Sequence, residues 1–263
     1  MGDCLYQANL KTVGTILPET KIILNKYLEL KDLVSLKKEL VENNLILKAS
    51  KRRIENIFNE IKRRYLKEQL SGYSDSQLLH LLEKVKSEAV VDLVLYYHFC
   101  KEEKIVYEFI TGPVHERYSQ GYLGITTDES LLFLQELANE NDEVGKWSER
   151  TFKDMKISLI SVLRDFKFMR GSKRPVFEKI FIPSIVFYYL FYSNKDFIST
   201  EQDFFNCKDF KLFLLDKGEM KVLLDEAFRN RIIDLKQTPN GAEITYNYKD
   251  IKEIIDEYSQ GKI

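Results

Sequence analysis

The sequence holds few of the residues that interrupt or staple a chain. Its 263 residues contain five prolines, eleven glycines, three cysteines and three histidines. Cys4, Cys100 and Cys207 lie about a hundred residues apart. That spacing excludes a disulfide framework and a zinc knuckle, and fits a reducing cytoplasm. With only His80, His98 and His115 available, histidine-based metal chemistry has little to build on, and no metal or cofactor is expected. No GxxxxGK[ST] or GxGxxG loop, HExxH or GxSxG stands in the chain, and the acids show no paired-carboxylate spacing. The sequence therefore reads as non-enzymatic.

Long apolar runs are missing too. The most apolar stretch, Ile180 to Tyr192, is 13 residues long and contains Pro183. A membrane-crossing helix takes about 20 apolar residues, so this stretch reads as a buried helix with Pro183 in its first turn. The start, MGDCLYQANLK, lacks the pattern of a signal peptide, and Tyr6 stands where a myristoylation signal takes Ser or Thr. A cytoplasmic protein without membrane contact is expected.

What is present is 44% hydrophobic and 31% charged, enough to bury a core. The fold class reads as mostly α: a multi-helix bundle with a helix-turn-helix-like N-terminal part and one or two short, wing-like β-hairpins. Three stretches are expected: residues 1–72, helical; 73–195, a helical body with a basic hairpin near 169–178; and 196–263, an α+β extension. Helices are expected over about Pro18–Leu30, Leu33–Asn43 and, behind a Ser50 cap, Lys51–Glu68. Further ones fall at Ser76–Leu82, Glu88–Cys100 and Ile105–Ile110, before a break at Gly112-Pro113. Thr127 or Asp128 should cap a helix running to about Asn139. Ser148 should cap one to about Phe168, with Trp147 and Phe152 as a hydrophobic staple. Asn240-Gly241 between apolar runs predicts a second hairpin, and a last helix covers about Lys249–Tyr258.

The net charge of −1 hides an asymmetry. Between Lys48 and Lys67 stand eight of the 40 bases and two of the 41 acids, a charge of +6. The other 32 bases and 39 acids leave −7. At about 100° per residue, Ile54, Ile57, Phe58, Ile61 and Tyr65 form one stripe, and Arg52, Asn56, Asn59, Arg63 and Lys67 share the opposite face. Arginine and lysine suit phosphates or guanine edges, and asparagine can bond adenine bidentately. A helix before this one gives helix-turn-helix order, although the turn from Asn43 to Ser50 is long for that motif. The competing reading is a solvated helix face. A second cluster, Arg164, Lys167, Arg170, Lys173, Arg174 and Lys179, carries +4 over 16 residues. A winged helix uses such a hairpin on a neighbouring groove; the competing reading is a solvated turn.

Other chemistry is sparse. His98 and Cys100 lie two residues apart on an apolar helix, do not face each other, and read as core. His115 and Glu116, after Gly112-Pro113, are a candidate site whose competing reading is plain surface. Phe187, Tyr188, Tyr189, Phe191 and Tyr192 are candidates for a protein interface or for a helical core.

Four stretches resemble the BrxA family of BREX phage-resistance systems. They are Tyr6–Leu10 with Leu17-Pro18-Glu19-Thr20; VENNLILKASKRRIENIFNEIKRRY from Val41 to Tyr65; Tyr96 to Tyr118, with Glu108-Phe109 and Glu116-Arg117-Tyr118; and WSERTFKDMKISLISVLRDFKFM from Trp147 to Met169. The likeness runs from about residue 6 to 195, and the remainder reads as a variable extension. The resemblance implies an α-helical, cytoplasmic, non-enzymatic accessory protein that binds double-stranded DNA. It also implies a defence system containing a methyltransferase, an ATPase and a phosphatase-like protein. Similarity to NusB-like helical RNA binders keeps RNA as an alternative ligand, and a scaffold role among BREX subunits is the alternative function. The nucleic-acid contacts so implied are Lys51, Arg52, Arg53, Arg63 and Arg64, with Lys173 and Arg174 in the hairpin; the face and charge pattern adds Asn56, Asn59, Lys67 and Arg170 to the expected contacts.

Overall fold

The computed structural model describes residues 6–67, 76–171, 175–239 and 241–263. The chain is mostly helical with two small antiparallel sheets, as its low proline and glycine content predicts. A short helix α1 (Leu10–Val13) precedes α2 (Leu17–Leu30), α3 (Leu33–Glu42) and α4 (Lys51–Tyr65). Asp32 caps α3, accepting from the Ser35 amide at 2.7 Å. Ser50 caps α4, accepting from the Arg53 amide at 3.3 Å. Asn44 holds the turn between them, its side chain bonded to both the N–H and the C=O of Lys48.

Next come α5 (Gln77–Lys84), α6 (Glu88–Glu102), α7 (Lys104–Phe109) and α8 (His115–Ser119). A π turn, Ile110–Val114, joins the last two at the expected break, with Gly112 at φ −99°, ψ −106°; Pro113 has no N–H to continue the ladder. Helix α9 (Thr127–Glu140) is capped by Thr126, one residue before the expected cap. The reciprocal bonds with Glu129 select the threonine three positions earlier. After α10 (Asp142–Gly145), helix α11 (Glu149–Asp165) starts behind Ser148. The Trp147 and Phe152 rings meet 5.9 Å apart as the expected staple. This helix ends three residues before the expected Phe168, and Lys167 turns the chain at φ 67°.

Strands β1 (Met169–Arg170) and β2 (Val176–Phe177) form the first hairpin stem. Helix α12 (Ser184–Ser193) follows, with Pro183 as its N-cap rather than in its first turn. The 196–229 stretch, which sequence patterning leaves open, forms α13 (Glu201–Asn206), a 3-10 turn (Lys208–Phe213) and α14 (Lys217–Arg229). Strands β3 (Ile233–Thr238) and β4 (Gly241–Tyr246) make the second hairpin. Thr238 pairs with Gly241, so Gly241 opens the strand rather than lying in the turn. Helix α15 (Ile251–Ser259) ends the fold.

One hydrophobic core runs from Leu10 to Ile255 and joins all three expected stretches. Its most enclosed element is α12, buried continuously from Ile185 to Tyr192 and packed against α6, α14 and α15. The aromatic run Phe187–Tyr192 is therefore core, the second of the two readings its sequence left open. Phe187 and Phe191 stack with Phe204, and Phe187 with Phe210. The Tyr192 hydroxyl finds a partner inside, donating to the Ile232 carbonyl at 2.9 Å. Tyr97 and Tyr107 both donate to the buried Asp209 carboxylate, at 2.7 and 2.8 Å. Lys101 closes that network at 3.0 Å, as a buried charge requires. Among the described residues no helix is long and apolar enough to cross a membrane.

His98 packs edge-on to Tyr97 and Tyr189, its Nε2 2.7 Å from the Tyr189 hydroxyl. Desolvation, with Lys101 adding to it, pulls its pKa down to about 4. An unfolded histidine takes up a proton below about 6.5. Between those values the unfolded chain binds more protons, so stability should rise with pH from 4 to 6.5. Urea midpoints across that window should climb less steeply for His98→Gln than for the native chain. Equal slopes would contradict this account of His98.

Candidate nucleic-acid interface

The site starts from the split character of α4. Ile54, Ile57, Phe58, Ile61 and Tyr65 are buried, as the 3–4 spacing predicts. They pack α4 against α1, α2, α3 and α6. The rest of the helix and its C-terminal end carry the residues singled out from the sequence, and the structure divides them into two groups.

The C-terminal group turns inward. Arg64 is 2% exposed. Its Nε donates to Glu103 Oε1 at 2.8 Å and its Nη1 to the Gly14 carbonyl at 2.8 Å. Its guanidinium lies 4.8 Å from the centre of the Phe99 ring. Arg63 donates to Glu60 at 2.8 Å and also reaches Glu103. Burial works against the Arg63 charge, but Glu103 and Glu60 outweigh it and raise its pKa. Lys67 pairs with Glu102 at 3.2 Å. These three bases bind α4 to the end of α6, so a basic residue type here reports an internal carboxylate, Glu103. Sequence reasoning missed Glu103, because its partners lie 39 and 40 positions earlier.

The N-terminal group faces out. Lys51, Arg52, Asn56 and Asn59 are all exposed. Neither Lys51 nor Arg52 forms an ion pair with a described residue. Arg52, Asn56 and Asn59 fall within an arc of about 60°. Arg53 is half-buried and donates Nη1 to the Thr12 carbonyl at 2.9 Å. Lys48, in the preceding turn, pairs with Glu19 at 2.5 Å.

The hairpin cluster is mixed. Arg170 is exposed and paired with Glu178. Lys179 is exposed and bonded to Glu219 at 2.6 Å, which raises its pKa. Lys167 is exposed, 3.9 Å from Asp92. Arg164 is half-buried and donates to Ser161 at 3.3 Å. Lys173 and Arg174 lie outside the described residues. The hairpin stem is anchored: the Phe177 amide donates to the Leu123 carbonyl at 2.6 Å. A Cβ built on Gly124 would stand 2.1 Å from the Pro175 carbonyl oxygen, so only glycine lets the 121–125 loop lie that close.

The two basic regions hang on one segment that sequence patterning did not single out, α1 and the loop after it. Its Thr12 and Gly14 carbonyls hold Arg53 and Arg64 of α4. On the other side Lys11 donates to Thr151 at 2.9 Å and Thr15 to Asp165 at 2.6 Å, both on α11. The other candidates are not brought together. Cys100 is fully buried, and burial pushes its thiol pKa well up. His115 is half-buried, with its pKa lowered by desolvation and by Lys211. No group of three or more metal-ligating side chains occurs among the described residues.

Removing Glu103 would leave the Arg64 guanidinium buried without its counter-charge, which costs about 3–5 kcal/mol. Glu103→Ala should lower the urea unfolding free energy by about that much. Lys51→Ala should change it by less than about 0.5 kcal/mol. Similar losses in both would contradict the division of α4.

Among solved structures, an uncharacterized protein from Magnetospirillum magneticum superposes with a TM-score of 0.60 at 16% identity, over 79% of this chain and 97% of that one. At that identity the likeness shows the fold alone. No curated protein matches. The BrxA family model matches residues 5–193, which takes in α1–α12, including α4 and the hairpin stem. The chain therefore belongs to the BrxA family, and through it to BREX phage defence.

Proposed function

We propose that this protein is a cytoplasmic, non-enzymatic accessory of BREX defence that binds double-stranded DNA through the outward face of α4. In this reading α3, the Asn43–Ser50 turn and α4 act as a helix-turn-helix with α4 as its recognition helix. The observation that carries it is the exposure of Lys51, Arg52, Asn56 and Asn59 together on one capped helix, with both cations unpaired among the described residues. Lys51 and Arg52 would take phosphates, and Asn56 or Asn59 would approach base edges. Arg63, Arg64 and Lys67 contribute by holding the helix in place. Arg53 sits between the roles, because its guanidinium already binds the Thr12 carbonyl.

The test is fluorescence anisotropy with a labelled 30-base-pair duplex across a salt series. Each phosphate neutralised contributes about −0.9 to the slope of log affinity against log salt. A Lys51→Ala/Arg52→Ala variant should bind at least tenfold more weakly, with a slope shallower by about 2. A flat salt response of the native protein, or unchanged binding by the variant, would overturn the reading. Stronger competition by a structured RNA than by unlabelled duplex would assign the same surface to RNA.

A further inference from the structure

A second feature of the α3–α4 pair lies beside the proposed DNA face. The two helices leave a groove of about 520 Å³ between them. Its floor and walls are Leu33, Val34, Val41 and Phe58. Val34 is 78% exposed. Large apolar side chains gathered at one groove mark a contact site more than singly scattered ones do.

The rim carries a small excess of base: Lys37, Lys38 and Lys62 line it against Glu42 and Glu55. Lys37 pairs with Glu55 at 3.1 Å. Lys38 and Lys62 form no ion pair with a described carboxylate. In a larger surface groove, between α2, α5 and α6, Lys21 is instead bonded to Glu88 and Asp92.

We infer that the groove between α3 and α4 docks an acidic amphipathic helix of a partner protein. The shape suits a helix: α3 is ten residues long, about 15 Å, which accepts two to three turns with apolar anchors at i, i+3 or i+4, and i+7. The chemistry selects the charge. Carboxylates flanking those anchors would meet Lys38 and Lys62, whereas a basic helix would be repelled. A second copy of this chain presenting its own α3 would bring Lys37 and Lys38 against the same lysines. Nucleic acid would have to set its phosphates over an apolar floor that offers them no side-chain donor. The inference goes beyond the DNA reading and does not rest on it. Glu55, Phe58 and Lys62 lie about 60–120° around α4 from Arg52, so partner and duplex could occupy one helix side by side.

The test places the photo-crosslinker p-benzoylphenylalanine at position 34 of the full chain, in cells carrying the whole defence system. The comparison position is Ile157, which is 51% exposed and lies on α11. Because Val34 is exposed, the substitution leaves the core untouched, and circular dichroism verifies the fold. The expected product joins position 34 to a segment of another protein that has net negative charge and helical apolar spacing. A synthetic peptide of that segment should bind the purified chain, and Val34→Glu should weaken it at least tenfold while leaving duplex affinity unchanged. Crosslinks no stronger than at position 157 would overturn the inference. So would crosslinks to a second copy, to nucleic acid, or to a segment without that pattern.

Discussion

The Glu103 carboxylate is 3% exposed at the end of α6 and accepts from two arginines of α4. A carboxylate buried alone would neutralise or destabilise the fold; with Arg63 and Arg64 in reach it fixes α4 against α6. Arg64 extends the constraint to the loop after α1 through the Gly14 carbonyl. That loop in turn fastens to α11 through Thr15 and Asp165. The orientation of α4, and hence what its other face presents to solvent, follows from this one buried cluster.

The consequence is a helix with two chemistries along its length. Arg63 and Arg64 of its last turn direct their charge into the molecule, and Lys51 and Arg52 of its first turn carry theirs outside. Lys51 and Arg52 keep their cations free of described carboxylates, and Asn56 and Asn59 stand exposed between them and the inward-turned end. Helix α3 completes the arrangement by leaving an apolar groove along the flank of α4 that faces away from Arg52. The flanks of a single short helix thus divide among core, anchor, proposed duplex contact and proposed partner contact.

Much of the fold was legible because it rests on local rules. Ser50 and Ser148 are caps that any reading of helix starts would find, and the stripe Ile54 to Tyr65 predicts the buried face of α4 directly. The 196–229 stretch was not legible. Short helices such as α13 form where Phe204 and Phe210 meet Phe187, a contact set by tertiary packing rather than by period. The site was legible in composition but not in allocation. Eight bases in 20 residues announce a basic helix, yet nothing local separates Arg52 from Arg63, which share one face by period. What separates them is the position of Glu103, some 40 residues on in sequence and visible only once the helices have packed. The aromatic run of α12 shows the same limit: Phe187 to Tyr192 could cover a partner or a core, and only the surrounding helices decide.

The division of α4 is tested most directly by arginine footprinting with phenylglyoxal, read residue by residue by mass spectrometry, with and without a 30-base-pair duplex. The account predicts that Arg52 is modified in the free protein and protected by duplex, while Arg64, buried against Glu103 and Phe99, stays unmodified in both. Modification of Arg64 in the folded free protein, or an Arg52 signal that duplex leaves unchanged while binding is saturated, would contradict it.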